Sequence, residues 1–257
     1  MIDIRPIRPP EAESFLELLC GVFDLDIGRA RSIFFSEPLF DLNRKWALFD
    51  GSQILSILTT VPLEFGWGRA IGIAGVATDV NHQREGLAAQ LLETVLEESS
   101  RGGEVGAMLF AKDTRLYERT GFKVLDEVVR GPLVYEPETD IPSGYEFDTI
   151  RSIYDKWAEA DDNRLRRNDL RWKYWKWNLR VCTPFHDGYL CFEGGMIREV
   201  VVNSPATEWI LPIDTEWLGL KSMAEGLGAQ LGPTDTDLML MGRGIPDMPQ
   251  FFMTDQF

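Results

Sequence analysis

Residues 75–92 read GVATDVNHQREGLAAQLL, and the hydrophobic pattern changes from that of a strand to that of a helix within them. Its first part, Gly75 to Val80, has the composition of a β-strand, and from Leu87 onward apolar residues recur at helical spacing. The first four backbone N–H groups of a helix lack partners inside the helix and carry the positive end of its dipole, which suits a pyrophosphate. The stretch therefore predicts a strand, a loop and a helix N-terminus that can bind an anion.

Three residues at the end of this loop strengthen the interpretation. Gly86 lets a ligand approach the backbone closely, Ala88 keeps the following position small, and Arg84 adds a cation. An ordinary helix start that contains a glycine is the alternative, because glycine is common near helix N-termini. The loop by itself leaves both interpretations open.

The pattern around this stretch predicts a mixed sheet. Up to residue 135 the elements follow the order β, α, α, β, β, β, α, β, α, β, β, with turn signals at Asp50-Gly51 and at 66–68. The strand–helix–strand unit from Val76 to Ala111 requires two neighbouring parallel strands inside an otherwise antiparallel sheet. We therefore expect an α/β fold of the mixed-sheet (α+β) kind.

A second motif follows at a suitable distance. Residues 113–122 read DTRLYERTGF, a helix that carries Tyr117 and ends before Gly121-Phe122. Together with Q-x-x-G-x-A at 83–88, this motif resembles the paired signatures of the GCN5-related N-acetyltransferase (GNAT) superfamily, over residues 1–135. The asparagine common in that family one turn before the tyrosine is missing here.

The resemblance implies the acyl-CoA N-acyltransferase fold, with acetyl-CoA as cosubstrate and no metal. It implies that backbone groups of Val76, Ala77 and Thr78 contact the pantetheine arm. The implied pyrophosphate loop consists of Gln83, Arg84, Glu85, Gly86, Leu87, Ala88 and Ala89. Tyr117 would lie near the thioester sulfur as general acid; alternatively, it is a half-buried tyrosine that packs beside Phe122.

Acetyl transfer to an amine also needs a base. An amine of pKa ~10.4 is protonated at pH 7, and its deprotonation costs roughly 4.6 kcal/mol. No glutamate lies in the strand 72–78. Asp79, His82 and Glu64 are candidates, although each is also compatible with a plain surface position, and a water chain is a further alternative.

The tail of the sequence offers another candidate base. Two acetyltransferase halves that finish in a phenylalanine resemble the enhanced-intracellular-survival (Eis-like) group, although a three-domain Eis-like protein is longer. In that group the C-terminal carboxylate reaches the active site of the first domain, which here implies Phe257. Residues 249–257 read PQFFMTDQF, an apolar tail after a proline. Packing of this tail on the second domain alone is the alternative.

The proline- and acid-rich segment 136–144 predicts a linker. We expect a GNAT domain at residues 1–138, and a smaller, degenerate domain of similar order at 139–257 whose tail docks on the first. The second half contains no second phosphate-binding motif. Its predicted elements are helices at 150–160, 168–179 and 216–227 and strands at 188–193, 196–202, 208–212 and 237–241.

The basic, tryptophan-rich segment 164–180 favours an amphipathic core helix whose buried face holds Leu170, Tyr174 and Trp177. A patch for an acidic ligand is the alternative.

The cysteines favour a structural interpretation. Cys182, His186 and Cys191 form C-x3-H-x4-C, but a structural zinc site needs four ligands. We expect buried cysteines that act as small apolar residues, rather than a metal site or a disulfide framework.

Composition limits the function. The 257 residues carry 41 acidic and 26 basic side chains, a formal net charge of −15, which argues against general nucleic-acid binding. No apolar run approaches the ~20 residues of a membrane span and no secretion signal is evident, so we expect a cytoplasmic protein without a membrane partner. The expected partner is a small-molecule or peptide amine of cationic character; formation of a homo-oligomer stays open.

The combined prediction is an acetyl-CoA-dependent N-acetyltransferase that acts by direct attack of a primary amine, without a covalent acyl-enzyme. The alternative is a catalytically inactive acyl-CoA-binding or protein-interaction module.

Overall fold

The computed structural model describes residues 2–137, 144–178, 181–204, 208–211 and 214–257. The predicted domain boundary, between 138 and 139, lies outside these residues. The helices are α1 Ala12–Phe23, α2 Ile27–Phe34, α3 Leu87–Arg101, α4 Arg115–Arg119, α5 Phe147–Glu159, α6 Asp169–Trp177 and α7 Lys221–Gly226. The strands are β1 Ile2–Pro6, β2 Lys45–Asp50, β3 Gln53–Phe65, β4 Gly68–Thr78, β5 Glu104–Ala111, β6 Lys123–Pro132, β7 Glu136–Pro137, β8 Val181–Phe185, β9 Gly188–Glu193, β10 Met196–Val201, β11 Ile210–Leu211, β12 Glu216–Leu220 and β13 Asp235–Arg243. None of the described helices is long and apolar enough to cross a membrane.

Eleven strands form one mixed sheet in the order β1-β2-β3-β4-β5-β13-β6-β12-β10-β9-β8. The pairs β1–β2, β2–β3 and β3–β4 are antiparallel. The pair β4–β5 is parallel, as the strand–helix–strand pattern predicts. The mixed-sheet fold expected from the sequence is confirmed.

The two halves of the chain exchange a strand in the middle of this sheet. β13 lies between β5 and β6, so that Leu240 stands opposite Phe110 on one side and Asp126 on the other. β6 in turn pairs with β12, where Gly131 stands opposite Trp217. Each half therefore completes its sheet with a strand that the other half supplies.

Helices cover both faces of the first five strands. Leu91, Leu92 and Val95 of α3 pack on one face, against a cluster that includes Ile71 and Ile73 of β4. On the opposite face, α1 contributes a second cluster. Both helices present one apolar stripe to the sheet, which is the pattern that burial on one side requires.

The second half repeats the first in part. β8, β9 and β10 form an antiparallel meander, and β12 runs parallel to β10 as β5 does to β4. The predicted helix at 216–227 is wrong in its first part, because residues 216–220 form β12. Between β10 and β12 no helix occurs in residues 202–204, 208–211 or 214–215, whereas α3 connects β4 to β5. The described part of this connection therefore has no counterpart of the predicted anion-binding helix.

The orientation predicted for α6 is wrong. Leu170 and Trp177 are exposed, whereas Arg171, Trp172 and Trp175 are buried. The two tryptophans pack against aromatic rings of α5, and this burial of large rings outweighs that of Leu170.

The cysteines also differ from expectation. Cys182 and Cys191 stand opposite each other on β8 and β9 and form a disulfide, and Cys20 is buried and free. The strand β8 was not predicted, so the sequence did not reveal that these two residues are cross-strand neighbours. The ring Nε2 of His186 lies 2.7 Å from the carbonyl oxygen of Glu208. Within the described residues, no three His, Cys, Asp or Glu side chains are grouped to hold a metal.

Candidate active site

β4 and β5 pair over only the first part of β4 and then separate. They pair from Arg69 to Ile73 of β4, and beyond this point β4 pairs only with β3 among the described strands. A bulge lies at the same place, since Gly75 and Val76 together oppose Leu58. Gly75 has a φ of 59°, which glycine adopts without strain. The sheet therefore has an opening that starts at Ala74.

The residues predicted to contact a pantetheine arm lie along this opening. The carbonyl oxygen of Ala77 accepts a hydrogen bond from Ser56 Oγ at 3.1 Å, and Thr78 Oγ1 lies 3.0 Å from the same hydroxyl. These contacts fix β4 to β3 on one side, while the edge of β4 toward β5 stays unpaired. Val76, Ala77 and Thr78 thus border a gap in the sheet where an extended ligand can form strand-like hydrogen bonds.

The predicted anion loop follows directly. Arg84 and Gly86 have positive φ values of 68° and 83°, and α3 begins after Gly86 without a side-chain cap. None of the N–H groups of residues 84–89 donates to another of the described residues. A Cβ at Gly86 would meet no atom within 4 Å, so glycine is favoured there by its backbone conformation and leaves space for a ligand. The loop is an open cradle of N–H groups at the positive end of a 15-residue helix.

Tyr117 of α4 lies on the α3 side of the sheet. Its ring is 6.2 Å from that of Phe122, and it packs against the cluster below α3. Its hydroxyl donates to no partner in the part of the chain that the structure describes. Burial, together with the negative charge of Asp113, raises the pKa of Tyr117, so the hydroxyl keeps its proton at neutral pH. Asp113 itself is anionic, because Arg115 lowers its pKa to about 2.

A cavity of about 610 Å³ lies on the opposite face, between the sheet and the helices α1 and α2. This volume is in the range of small-molecule sites. Ala74 and Gly75, at the opening between β4 and β5, form part of its floor. The remaining lining residues are mainly apolar, and the charged ones are Asp24, Asp26, Arg29, Glu37 and Lys45.

The tail residues Gln256 and Phe257 close one side of this cavity. The ring of Phe257 lies 5.1 Å from that of Phe110 on β5 and 6.0 Å from that of Phe251. The α-carboxylate of Phe257 forms no ion pair with any residue that the structure describes. The tail thus lies against strands of the first half, at the edge of the opening.

A buried ionic network holds this tail in place. Asp255 binds Arg167 at 2.6 Å, and Arg167 also binds Glu199 at 2.7 Å, with all three side chains fully buried. Burial opposes the charge of Glu199, but Arg167 and hydroxyl donors of Thr254 and other residues lower its pKa below the usual range, so that it is anionic. The network therefore fixes the backbone two residues before Phe257.

Arg171 connects this network to the first half. One of its Nη atoms lies 3.5 Å from Asp255 Oδ1, and the other donates to the carbonyl oxygen of Pro62 on β3 at 2.8 Å. Because Arg171 is buried, the contact is shielded from solvent. α6, the tail and β3 are thereby linked at one point.

The other candidate bases, Asp79, His82 and Glu64, lie outside the cavity lining. Asp79 accepts from the N–H of Asn81 at 2.8 Å and lies 3.3 Å from His82 Nδ1, and these contacts lower its pKa. Glu64 stands opposite Arg69, five residues from Ala74 along β4, or about 16 Å. Neither Asp79, His82 nor Glu64 lines the cavity, whereas Phe257 does.

Sequence reasoning missed the charged residues that flank α1 and α2, at Asp24, Asp26 and Glu37, as well as Arg29 of α2 and Lys45 of β2. The acidic residues of the cavity come from the first half of the chain, at Asp24, Asp26 and Glu37, and not from the second half. One signal was present for Lys45, which is in phase with the buried Ala47 and Phe49 along β2 and therefore points into the same face. The carboxylates had no comparable pattern.

Comparison with known proteins agrees with this geometry. Residues 3–125 match the family model described as an acetyltransferase (GNAT) domain. Among curated proteins, none matches this sequence.

Three solved structures resemble the chain over nearly its whole length. A GCN5-related N-acetyltransferase from Kribbella flavida superposes with a TM-score of 0.69 at 14% identity, covering 95% of this chain and 72% of that one. A candidate acetyltransferase from Pyrococcus horikoshii gives 0.67 at 14% identity, covering 98% and 93%. Eis1 from Mycobacterium abscessus gives 0.61 at 14% identity, covering 93% and 73%. At this identity the likeness shows the fold alone. The matched family model identifies residues 3–125 as an acetyltransferase (GNAT) domain.

Proposed function

We propose that this protein transfers an acetyl group from acetyl-CoA to a primary amine, by direct attack of the amine on the thioester. One observation carries the proposal: the strand that leads into the anion loop also lines the cavity. Ala74 and Gly75 form part of the cavity floor, and the loop begins eight residues after Gly75, at Gln83. A cofactor held by the loop can therefore present its reactive end to an acceptor in the cavity.

The residues present fit acetyl-CoA. The free N–H groups of residues 84–89 and the side chain of Arg84 suit its diphosphate, and hydrogen bonds to charged groups contribute roughly 1.5–3 kcal/mol each. The open edge of β4 suits the amide-containing pantetheine arm. The residues proposed to bind the cofactor are Val76, Ala77, Thr78, Gln83, Arg84, Glu85, Gly86, Leu87, Ala88 and Ala89. When bound, acetyl-CoA supplies the activated acetyl group.

Tyr117 would stabilise the leaving group. A tyrosine at pKa ~10 is a weaker acid than a thiol at ~8.5, so full proton transfer to the thiolate is uphill by about 2 kcal/mol. The raised pKa of Tyr117 increases this difference. We therefore assign Tyr117 to donating a hydrogen bond to the developing thiolate.

The α-carboxylate of Phe257 would accept the proton of the amine. The ring of Phe257 is held at the opening, Asp255 anchors the tail two residues earlier, and no described cation pairs with the carboxylate. A carboxylate without a cationic partner keeps a higher proton affinity than a paired one, because a nearby positive charge favours its charged form. Adding a few residues after Phe257 tests the role, and undiminished turnover of such a variant would exclude it.

The carboxylates of the cavity support a cationic acceptor. Asp24, Asp26 and Glu37 contribute negative charge to one lining, against Arg29 and Lys45. A surplus of negative charge concentrates ammonium groups near the opening. It also favours their protonated form, which makes a base more necessary.

Calorimetric titration with acetyl-CoA, followed by thiol release with a panel of amines, tests the proposed reaction. We expect binding that Arg84→Ala weakens about tenfold, since it removes one charge-assisted contact. Arg130→Ala, an exposed arginine on β6, is the matched control and is expected to bind normally. Binding without thiol release on any amine would instead support the acyl-CoA-binding module.

A further inference from the structure

We propose that the acceptor carries a carboxylate as well as its amine, and that Lys45 binds this carboxylate at the far end of the cavity. The acceptor would then be an extended amino acid with an apolar body, such as an ω-amino acid. This inference rests on the proposed function for the fate of the amine, but the binding of the carboxylate stands on its own geometry.

Lys45 is a buried cation that points into the cavity. It is 6% exposed and lines the cavity, yet no carboxylate among the described residues lies within 4.0 Å of its ammonium. The rings of Phe34 and Phe40 lie near the ammonium, with their centroids at 4.9 and 5.9 Å. Burial of a charge without a hydrogen-bonded partner is costly, so a ligand anion at this position would be strongly favoured.

The acids near Lys45 act at longer range. Glu37 and Asp41 attract its charge without forming an ion pair, and burial nevertheless lowers the pKa of Lys45. Burial also raises the pKa of Glu37, and the charge of Lys45 opposes this shift. Arg29 is exposed at the rim of the same cavity and does not compete for the buried position.

Strand register gives the length of the acceptor. Lys45, Thr59 and Ala74 stand opposite one another on β2, β3 and β4, and all three line the cavity. Two spacings between neighbouring strands separate the backbones of Lys45 and Ala74 by about 9–10 Å. A linear acceptor with about five methylene groups between its amine and its carboxylate has a length of this order.

The wall between the two ends is apolar. Leu16, Ile33, Phe34 and Val61 line the cavity together with Lys45 and the opening. An acceptor with charges at both ends and methylene groups between them matches this distribution. A polycation would place a second positive charge against Lys45, which like-charge repulsion disfavours.

The test compares 6-aminohexanoate with hexylamine, a matched pair that differs in the carboxylate. In steady-state thiol release, we expect the wild-type protein to prefer 6-aminohexanoate at least tenfold in kcat/KM, mainly through KM. Lys45→Met should bring the ratio near one, whereas Lys123→Met, an exposed lysine on β6, should leave it unchanged. Glu37→Gln should raise the preference, because it removes a competing negative charge while it keeps Lys45.

Calorimetric binding of the two amines separates this inference from the proposed reaction. A preference for 6-aminohexanoate that Lys45→Met abolishes supports the carboxylate site even without turnover, in which case the proposed reaction fails instead. Acetyl-CoA binding checks that Lys45→Met is folded; if it is not, the Glu37→Gln comparison decides. Equal binding of the two amines by the wild-type protein, or a preference unchanged by Glu37→Gln and Lys45→Met, would overturn the inference.

Discussion

The ring of Phe257 lies directly on Gly72: a Cβ added to this glycine would stand 2.4 Å from the ring's Cγ and Cδ2. Gly72 has no positive φ, so a larger residue is excluded by the ring rather than by the backbone. Gly72 and Phe257 thus bring the two halves into contact on β4, next to the point where this strand separates from β5.

Gly72→Ala should therefore displace the tail. We expect kcat to fall at least tenfold, while the affinity for acetyl-CoA stays nearly constant because the loop at 83–89 is unchanged. Gly226→Ala is the control, since a Cβ there meets no atom within 4 Å. Full turnover by Gly72→Ala would show that the position of Phe257 does not matter.

Asp255→Asn should loosen the same tail from its other side. Breaking a buried ion pair by removing one partner costs about 3–5 kcal/mol, because the remaining charge is left without its full compensation. We expect this loss in the free energy of unfolding, measured with urea, together with a reduced kcat in the folded fraction. Asp237→Asn, on the exposed end of β13, serves as the comparison and should leave both quantities intact.

Tyr117→Phe tests the leaving-group role. The hydroxyl has no hydrogen bond with the described residues, so its removal should barely change stability. We expect kcat to fall by about 10²–10⁴, as typical for loss of such a catalyst, with acetyl-CoA binding retained. Tyr145→Phe should have no effect, and a normal kcat for Tyr117→Phe would rule out the assignment.

Stability should depend on pH through Glu11. Arg5 binds its two carboxylate oxygens at 2.7 and 2.8 Å and lowers the pKa of Glu11 from 4.5 to about 2. A lowered pKa in the folded state gives stability that is complete above pH 4.5 and is lost as the pH falls toward 2. The difference in unfolding free energy between the wild type and Glu11→Gln should therefore shrink over this interval. If this difference in unfolding free energy were constant from pH 2 to 7, the ion pair between Arg5 and Glu11 would not contribute to the pH dependence of stability.

The local elements around the loop could be predicted from the sequence because their signals are local. Helical spacing after Gly86 indicates α3, and the strand–helix–strand unit determines the parallel pairing of β4 and β5. The bulge at Gly75 and the exchange of β13 were not predictable in this way. Both β6 and β13 have consecutive apolar residues, Val128-Val129 in β6 and Leu238 to Met241 in β13, and nothing in these runs selects a neighbour that is distant in the sequence.

The cavity was only partly predictable for the same reason. Its lining comes from α1, α2, β2 and the tail, which converge only when the sheet is complete. A family resemblance suggested Phe257 as a site residue, whereas the sequence analysis did not identify Lys45. The buried face of α6 was not predictable for the same reason. Arg171 is buried through its contacts with Asp255 and Pro62, which lie in distant parts of the chain.

The exchanged strand has a consequence for how the protein is made. During synthesis, β5 emerges long before residues 235–243, and until then the edge that later binds β13 has unpaired backbone groups and is open to association with other chains. Until β13 is synthesised, the first half therefore lacks the strand that separates β5 from β6 in the folded protein. A fragment ending at residue 138 should accordingly aggregate, and supplying residues 144–257 as a separate chain should restore solubility.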